Sequence, residues 1–164
     1  MFILLTALAV TGCAPKVVQL SSNFDKTTAK NLLVDGTNAI LGNALIRQQG
    51  GGVVTCAGYE VNLTPVTEYA TERMLYLYQS DQSGYNSRNF NQKFQNDDPD
   101  YLRLAKTTQC DAQGNFEFEN ITDGEFYVTT TVFWMPGQYI RNGGHLMKRV
   151  KVAGGETKKI ILSP

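Results

Sequence analysis

One histidine, one tryptophan, three cysteines and five prolines are all that 164 residues hold of those types. The lone His145 excludes any site built on two imidazoles. It is followed by Leu146-Met147-Lys148, so neither the His-x-x-Glu nor the His-Glu-x-x-His spacing of a zinc peptidase exists. No Gly-x-Ser-x-Gly elbow occurs, and a serine triad would have to draw its base from the same glycine-flanked His145. Neither sign of charge is in excess: 15 Lys+Arg stand against 15 Asp+Glu, which removes the electrostatic case for nucleic acid as a partner. Beyond the first residues no run approaches the ~18 apolar residues of a spanning helix. What remains is 42% hydrophobic and 10% aromatic residues, enough for a core and more than a disordered chain carries. The length fits one domain with a tail. The expectation is a non-enzyme without metal or cofactor.

The chain opens Met-Phe-Ile-Leu-Leu-Thr-Ala-Leu-Ala-Val-Thr-Gly and then Cys13. The apolar run from Phe2 to Val10 is too short to cross a bilayer but suits the h-region of a signal peptide. Val10-Thr11-Gly12-Cys13 resembles the lipobox of bacterial lipoproteins. That resemblance implies removal of residues 1–12, palmitate-type acylation of Cys13 and a mature chain of 164 − 12 = 152 residues. Membrane anchoring by two or three acyl chains follows at about 0.8 kcal/mol per buried methylene. Ala14 is not the Asp that favours inner-membrane retention in enteric lipoproteins, so the outer membrane of a diderm envelope is the implied address. No Lys or Arg precedes Lys16, whereas signal peptides open on one; a start a few codons upstream is expected. With Cys13 assigned, two cysteines remain. An oxidising periplasm permits a Cys56–Cys110 disulfide; two buried free thiols are the alternative. Closing that loop of 110 − 56 = 54 positions would stabilise by roughly 4 kcal/mol in the chain-entropy model.

Residues 13–36 read as a lipidated tether. Within it Lys16–Leu20 reads as a short strand, and Asp25–Val34 is either a short helix, with Ala29, Leu32 and Leu33 on one side, or a strand at Leu32–Val34 turning at Asp35-Gly36. Residues 37–164 read as one β domain. Ala44–Arg47 and Val53–Cys56 flank a Gly50-Gly51-Gly52 turn. Tyr59–Thr64 and Phe116–Glu119 alternate apolar and polar side chains, the period of a half-buried strand. Phe126–Trp134 is dense in aromatic and β-branched residues. Leu146–Val152 and Lys158–Leu162 close the chain around Gly154-Gly155. Strands spaced at about ten residues with turn signals between them predict a small all-β antiparallel sandwich.

Residues 66–105 break that rhythm as a mixed or helical insertion. Thr67–Gln79 is readable as a helix or as a strand. Ser80–Asp100 is polar and rich in Gln and Asn, a surface excursion with a short helix expected around Asn89–Gln95. The rings of Tyr76, Tyr78, Tyr85, Phe90, Phe94 and Tyr101 stand there among amides and Arg88. Amphipathic rings beside amide and guanidinium groups suit a glycan or protein partner; folding back onto the sandwich is the alternative. Asp97-Asp98-Pro99-Asp100 matches no EF-hand spacing and reads as a turn or helix start.

Four segments together carry a family resemblance. Thr108, Asp111, Gly114 and Phe116 match a T-x-x-D-G-x-F pattern with a slightly longer turn. Gly124 and Tyr127 match the G-x-Y that opens a long strand. Gly58 with Tyr59–Leu63, and Gly155-Glu156 running to Leu162, match the flanking strands. In these residues the chain resembles the carboxypeptidase regulatory-like domain, a transthyretin-like (prealbumin-like) β-sandwich. The resemblance implies an accessory fold without catalytic residues, here a binding or assembly module; a subunit of a secretion or pilus apparatus is the other reading.

Overall fold

The computed structural model describes residues 17–87, 93–95, 97–138 and 140–164. Two β-sheets face each other. In the first, β2 (Asp35–Arg47) is the spine. It pairs in parallel with β11 (Thr157–Leu162), and antiparallel with β8 (Asn115–Ile121) and β3 (Val53–Thr55). The second sheet is ordered β5 (Ser83–Asn86), β10 (Ile140–Val152), β9 (Gly124–Gly137), β4 (Glu60–Pro65) and β7 (Lys106–Gln109), every neighbour antiparallel. This is the expected all-β sandwich, mostly antiparallel, with small helical insertions.

Alternation explains the core between the sheets. Phe126, Val128 and Val132 of β9, with Val61 and Leu63 of β4, point inward and are buried. They meet Ile40, Phe116, Phe118, Ile160 and Leu162 from the facing sheet. Gly42 sits mid-strand because the Phe116 ring lies where a side chain would begin: a Cβ there would come within 2.0 Å of it. Cys56 and Cys110, both buried, form a disulfide with Cα atoms 5.8 Å apart, tying the end of β3 to the end of β7. Asn38 is buried and fully used. Its amide donates to the Ile121 carbonyl and the Asp123 carboxylate, each at 2.9 Å. Its carbonyl accepts from the N–H groups of Gly155 and Glu156 at 2.8 and 2.9 Å. One side chain thus joins β2 to two turns on distant segments.

A second core covers the outer face of the five-stranded sheet. Here α2 (Glu68–Tyr78) lies on Tyr127 and Met147. The helix alternative wins because Thr67 caps it, its hydroxyl accepting from the Ala70 N–H at 3.1 Å, and because Tyr69, Ala70, Arg73 and Met74 fall on one buried face. The earlier segment adds α1 (Lys26–Leu32). Its first turn is held by the Asp25 carboxylate, which accepts from the Thr27 and Thr28 N–H groups at 3.0 Å. The Thr28 hydroxyl, which donates to the same carboxylate at 2.7 Å, and then these backbone bonds hold the Asp25 carboxyl below its usual pKa.

Two sequence expectations need correction. The described part of the 13–36 segment is folded into the body rather than trailing as a tether. Val18, Leu20 and Ala29 are buried, β1 (Val17–Val18) pairs in parallel with β6 (Lys93–Phe94), and Ser21 donates from its N–H and hydroxyl to the Glu72 carboxylate of α2. The reason is apolar burial: Val18 and Leu20 have a ready surface in the second core. The 80–100 stretch is likewise no simple excursion. β5 adds to the sheet edge, Lys93–Phe94 is strand rather than helix, and α3 (Asp100–Arg103) follows. Of the expected 89–95 helix, residues 89–92 lie outside the described residues.

Candidate functional site

At one end the sandwich opens into a cleft of about 670 Å³. Its walls come from four places in the chain. β2 supplies Arg47, the following turn Gln48 and Gln49, β5 Tyr85, and the far ends of β9 and β10 Trp134, Arg141 and Asn142. Period-two alternation puts Trp134 on the inner face with Val128 and Val132. It lies past the last fully buried pair, so its indole is half-buried, one side on the core and one in the cleft. The register sets Asn142 opposite Trp134, just after an irregularity between Ile140 and Asn142. Gly143 follows with φ +111, and a Cβ there would come within 2.0 Å of the Val132 carbonyl. Only glycine fits. The Tyr85 hydroxyl donates to the Gly143 carbonyl at 3.0 Å, which fixes a ring that is 37% exposed.

Arg141 closes the cleft and turns its guanidinium over the Phe133 ring, 4.2 Å from the centroid. Phe133 in turn meets His145 edge-on at 5.3 Å and Tyr59 at 6.2 Å. Burial, and then the charge of Arg141, push the His145 pKa down to about 4. That imidazole is neutral at neutral pH and packs as an aromatic.

The described lining side chains offer two aromatic faces, planar amides and guanidinium donors, with no Asp, Glu, His or Cys side chain among them. Such a set can stack on a ring and hydrogen-bond its edge. It supplies no acid–base pair of the kind hydrolysis uses.

The residues singled out from sequence divide sharply. Cys56 and Cys110 are joined as expected. Tyr85 reaches the cleft. Phe94 and Tyr101 do not face solvent; both are buried in the second core, with Tyr76 and Tyr78 packed against it. Phe94, turned inward by the β1–β6 pairing, and Tyr101 of α3 are thus corrected as surface rings, while Tyr76 and Tyr78 stay partly exposed. Cys13, Arg88 and Phe90 lie outside the described residues. Among the described residues no group of three or more His, Cys, Asp or Glu could hold a metal. The Asp97–Asp100 carboxylates are engaged by cations: Arg73 at 2.5 Å from Asp97, Lys26 at 3.3 Å from Asp98 and at 2.8 Å from Asp100. Asp111 is a turn former, accepting from the N–H groups of Gln113 and Asn115 at 2.9 and 2.8 Å. Gly114, in the same turn, takes a positive φ of +82°. Sequence reading missed Arg47 and Asn142, and took Trp134 only as the core-packed end of its strand. The available signal was a tryptophan in phase with a buried strand face but beyond its last fully buried residue.

The fold has a solved counterpart. It is similar to the crystal structure of a "putative carbohydrate binding protein" from Pseudomonas aeruginosa, with a TM-score of 0.70 and 21% identity, covering 87% of this chain and 99% of that one. At that identity the likeness shows the shared sandwich. No protein-family model matches the chain, and no curated protein matches it.

Proposed function

We propose that the chain is a non-catalytic, acyl-anchored envelope lipoprotein whose sandwich, of carboxypeptidase regulatory-like type, binds carbohydrate in the end cleft. The observation that carries the binding role is the pairing of half-exposed Trp134 and Tyr85 with Arg47, Gln48 and Asn142 in one opening. A pyranose presents an apolar C–H face and a rim of hydroxyls. Aromatic faces take the first, and amides and guanidinium groups take the second. The role named for the Pseudomonas protein agrees with this reading. The lipobox-like Val10-Thr11-Gly12-Cys13 and the buried Cys56–Cys110 bridge support an oxidising, extracytoplasmic address. Among the described residues no helix is long and apolar enough to cross a membrane, and acyl chains on Cys13 are the proposed attachment.

Two measurements test this. On a glycan array the purified protein binds a defined set of saccharides, and Trp134→Ala weakens that binding about tenfold, the ~1.4 kcal/mol of a lost stacking contact. An unchanged array profile in the variant refutes the cleft. Mass spectrometry of the membrane-extracted protein finds a diacyl or triacyl Cys13 N-terminus; an unmodified Met1 refutes the anchor.

A further inference from the structure

The opposite face of the five-stranded sheet carries a separate cavity of about 300 Å³, walled by α2 and by the segment around α3. Its floor is polar: the amide of Asn62 on β4, the hydroxyls of Thr64 on β4 and Thr129 on β9. Its roof is apolar, made by Met74 and Leu77 of α2, with Leu102 of α3 at an exposed rim. The Tyr101 hydroxyl lies in the same wall. That residue is 3% exposed and, among the described residues, its hydroxyl has no hydrogen-bond partner. Asn62, Thr64 and Thr129 add polar side chains to the same space. An unpartnered buried hydroxyl costs about 1–3 kcal/mol, which makes the Tyr101 hydroxyl beside this polar floor unusual for a packing fault.

Charge narrows the occupant. Arg73 and Asp97, which also line the cavity, neutralise each other at 2.5 Å. Burial raises the Tyr78 and Tyr101 phenols above their ordinary pKa and keeps them uncharged. Size narrows it too, since ~300 Å³ is the lower end of ligand pockets. We propose that this cavity is a second binding site, for a single uncharged pyranose ring, either a free monosaccharide or the terminal residue of a glycan. The sugar's hydroxyls meet Asn62, Thr64, Thr129 and Tyr101, and its C–H face meets Met74 and Leu77. The site is independent of the Trp134 cleft, and either can fail without the other.

The test titrates the ¹⁵N-labelled full chain with glucose, galactose and N-acetylglucosamine, each also as its methyl glycoside, and follows the Asn62 side-chain amide and the Thr129 N–H. The expected result is a saturable shift of both with at least one sugar. The shift is retained in Trp134→Ala and weakened at least tenfold in Thr129→Val and Tyr101→Phe. Equal response to the methyl glycoside marks a glycan terminus as the source, and response to the free sugar alone marks a monosaccharide. Thermal unfolding supplies a second readout. Tyr101→Phe raises the unliganded midpoint, because it deletes an unpaired polar atom, and it abolishes the sugar-induced rise. No saturable shift with any of the sugars overturns the proposal. So does a shift indifferent to both cavity substitutions, and so does a lowered unliganded midpoint in Tyr101→Phe, which would mean a hydroxyl already satisfied by structural water.

Discussion

Replacing Arg73 separates two physical accounts of the second core. The side chain is 8% exposed. Its guanidinium lies 4.0 Å from the Phe94 centroid, 4.5 Å from that of Tyr101 and 5.5 Å from that of Tyr69, and it donates to the Tyr69 hydroxyl at 3.1 Å. It also pairs with Asp97, whose carboxylate side chain is 54% exposed. A desolvated cation–π arrangement contributes about 2 kcal/mol, and the bond to Tyr69 about 1 kcal/mol. The pair with a half-solvated carboxylate contributes no more than about 1 kcal/mol after screening. Stacking therefore outweighs the ion pair. Arg73→Met is expected to destabilise by about 3 kcal/mol, a fall of about 6–12 °C in Tm for a chain of this size. Arg73→Lys keeps the charge but loses the planar stack and the fork, and is expected to cost about 1–2 kcal/mol. Asp97→Asn is expected to cost under about 1 kcal/mol. Urea unfolding at constant m-value measures all three. Asp97→Asn as damaging as Arg73→Met, or Arg73→Lys indistinguishable from the parent, would show that the rings are bystanders.

Reducing the Cys56–Cys110 bridge should lower unfolding stability by up to about 4 kcal/mol, read as a drop in urea midpoint with dithiothreitol; a shift under ~1 kcal/mol would mean the reduced unfolded chain is already constrained. Asn38→Ala strands two carbonyl-seeking and two N–H-seeking contacts at once, and should cost about 2–4 kcal/mol, against about 1 kcal/mol for Asn43→Ala, half-buried on the same strand with both its bonds at the solvent-exposed edge. The unfolded His145 imidazole takes its proton near 6.5 and the folded one not until about 4. The unfolded chain holds the extra proton between those values, so this contribution to stability is full above pH 6.5, is lost as pH falls toward 4 and levels off below. An NMR titration of His145 checks the midpoint, and His145→Gln should flatten that part of the pH–stability curve; a folded midpoint near 6.5 contradicts it.

What the sequence made legible was local. Alternation at Tyr59–Thr64, Phe116–Glu119 and Phe126–Trp134, with glycine turns between, reports burial on one face of each strand, and that is a nearest-neighbour signal. The Thr67–Gln79 segment stayed ambiguous because Tyr69, Ala70, Arg73 and Met74 include a charged residue. Only the three rings around its guanidinium make Arg73 a core residue. β5 and β6 were hidden for a different reason. Each is short, and its partner lies far along the chain. The cleft is a product of pairing as well: Arg47, Tyr85, Trp134 and Asn142 share no sequence neighbourhood and meet only once β2, β5, β9 and β10 are in register. Tyr85 could be picked out as a ring in a polar stretch, but its partners could not.

The pinning of Val18 and Leu20 in the second core, with Ser21 bound to Glu72, has a geometric outcome for an acylated Cys13. Three residues separate Cys13 from Val17, and those four peptide steps reach about 14 Å at full extension. The body could not drift on a long leash from the lipid. It would ride directly on the headgroups, the edge around β1 and β6 always turned to the bilayer, so that what the protein can meet is decided by which of its flanks that mooring leaves facing outward.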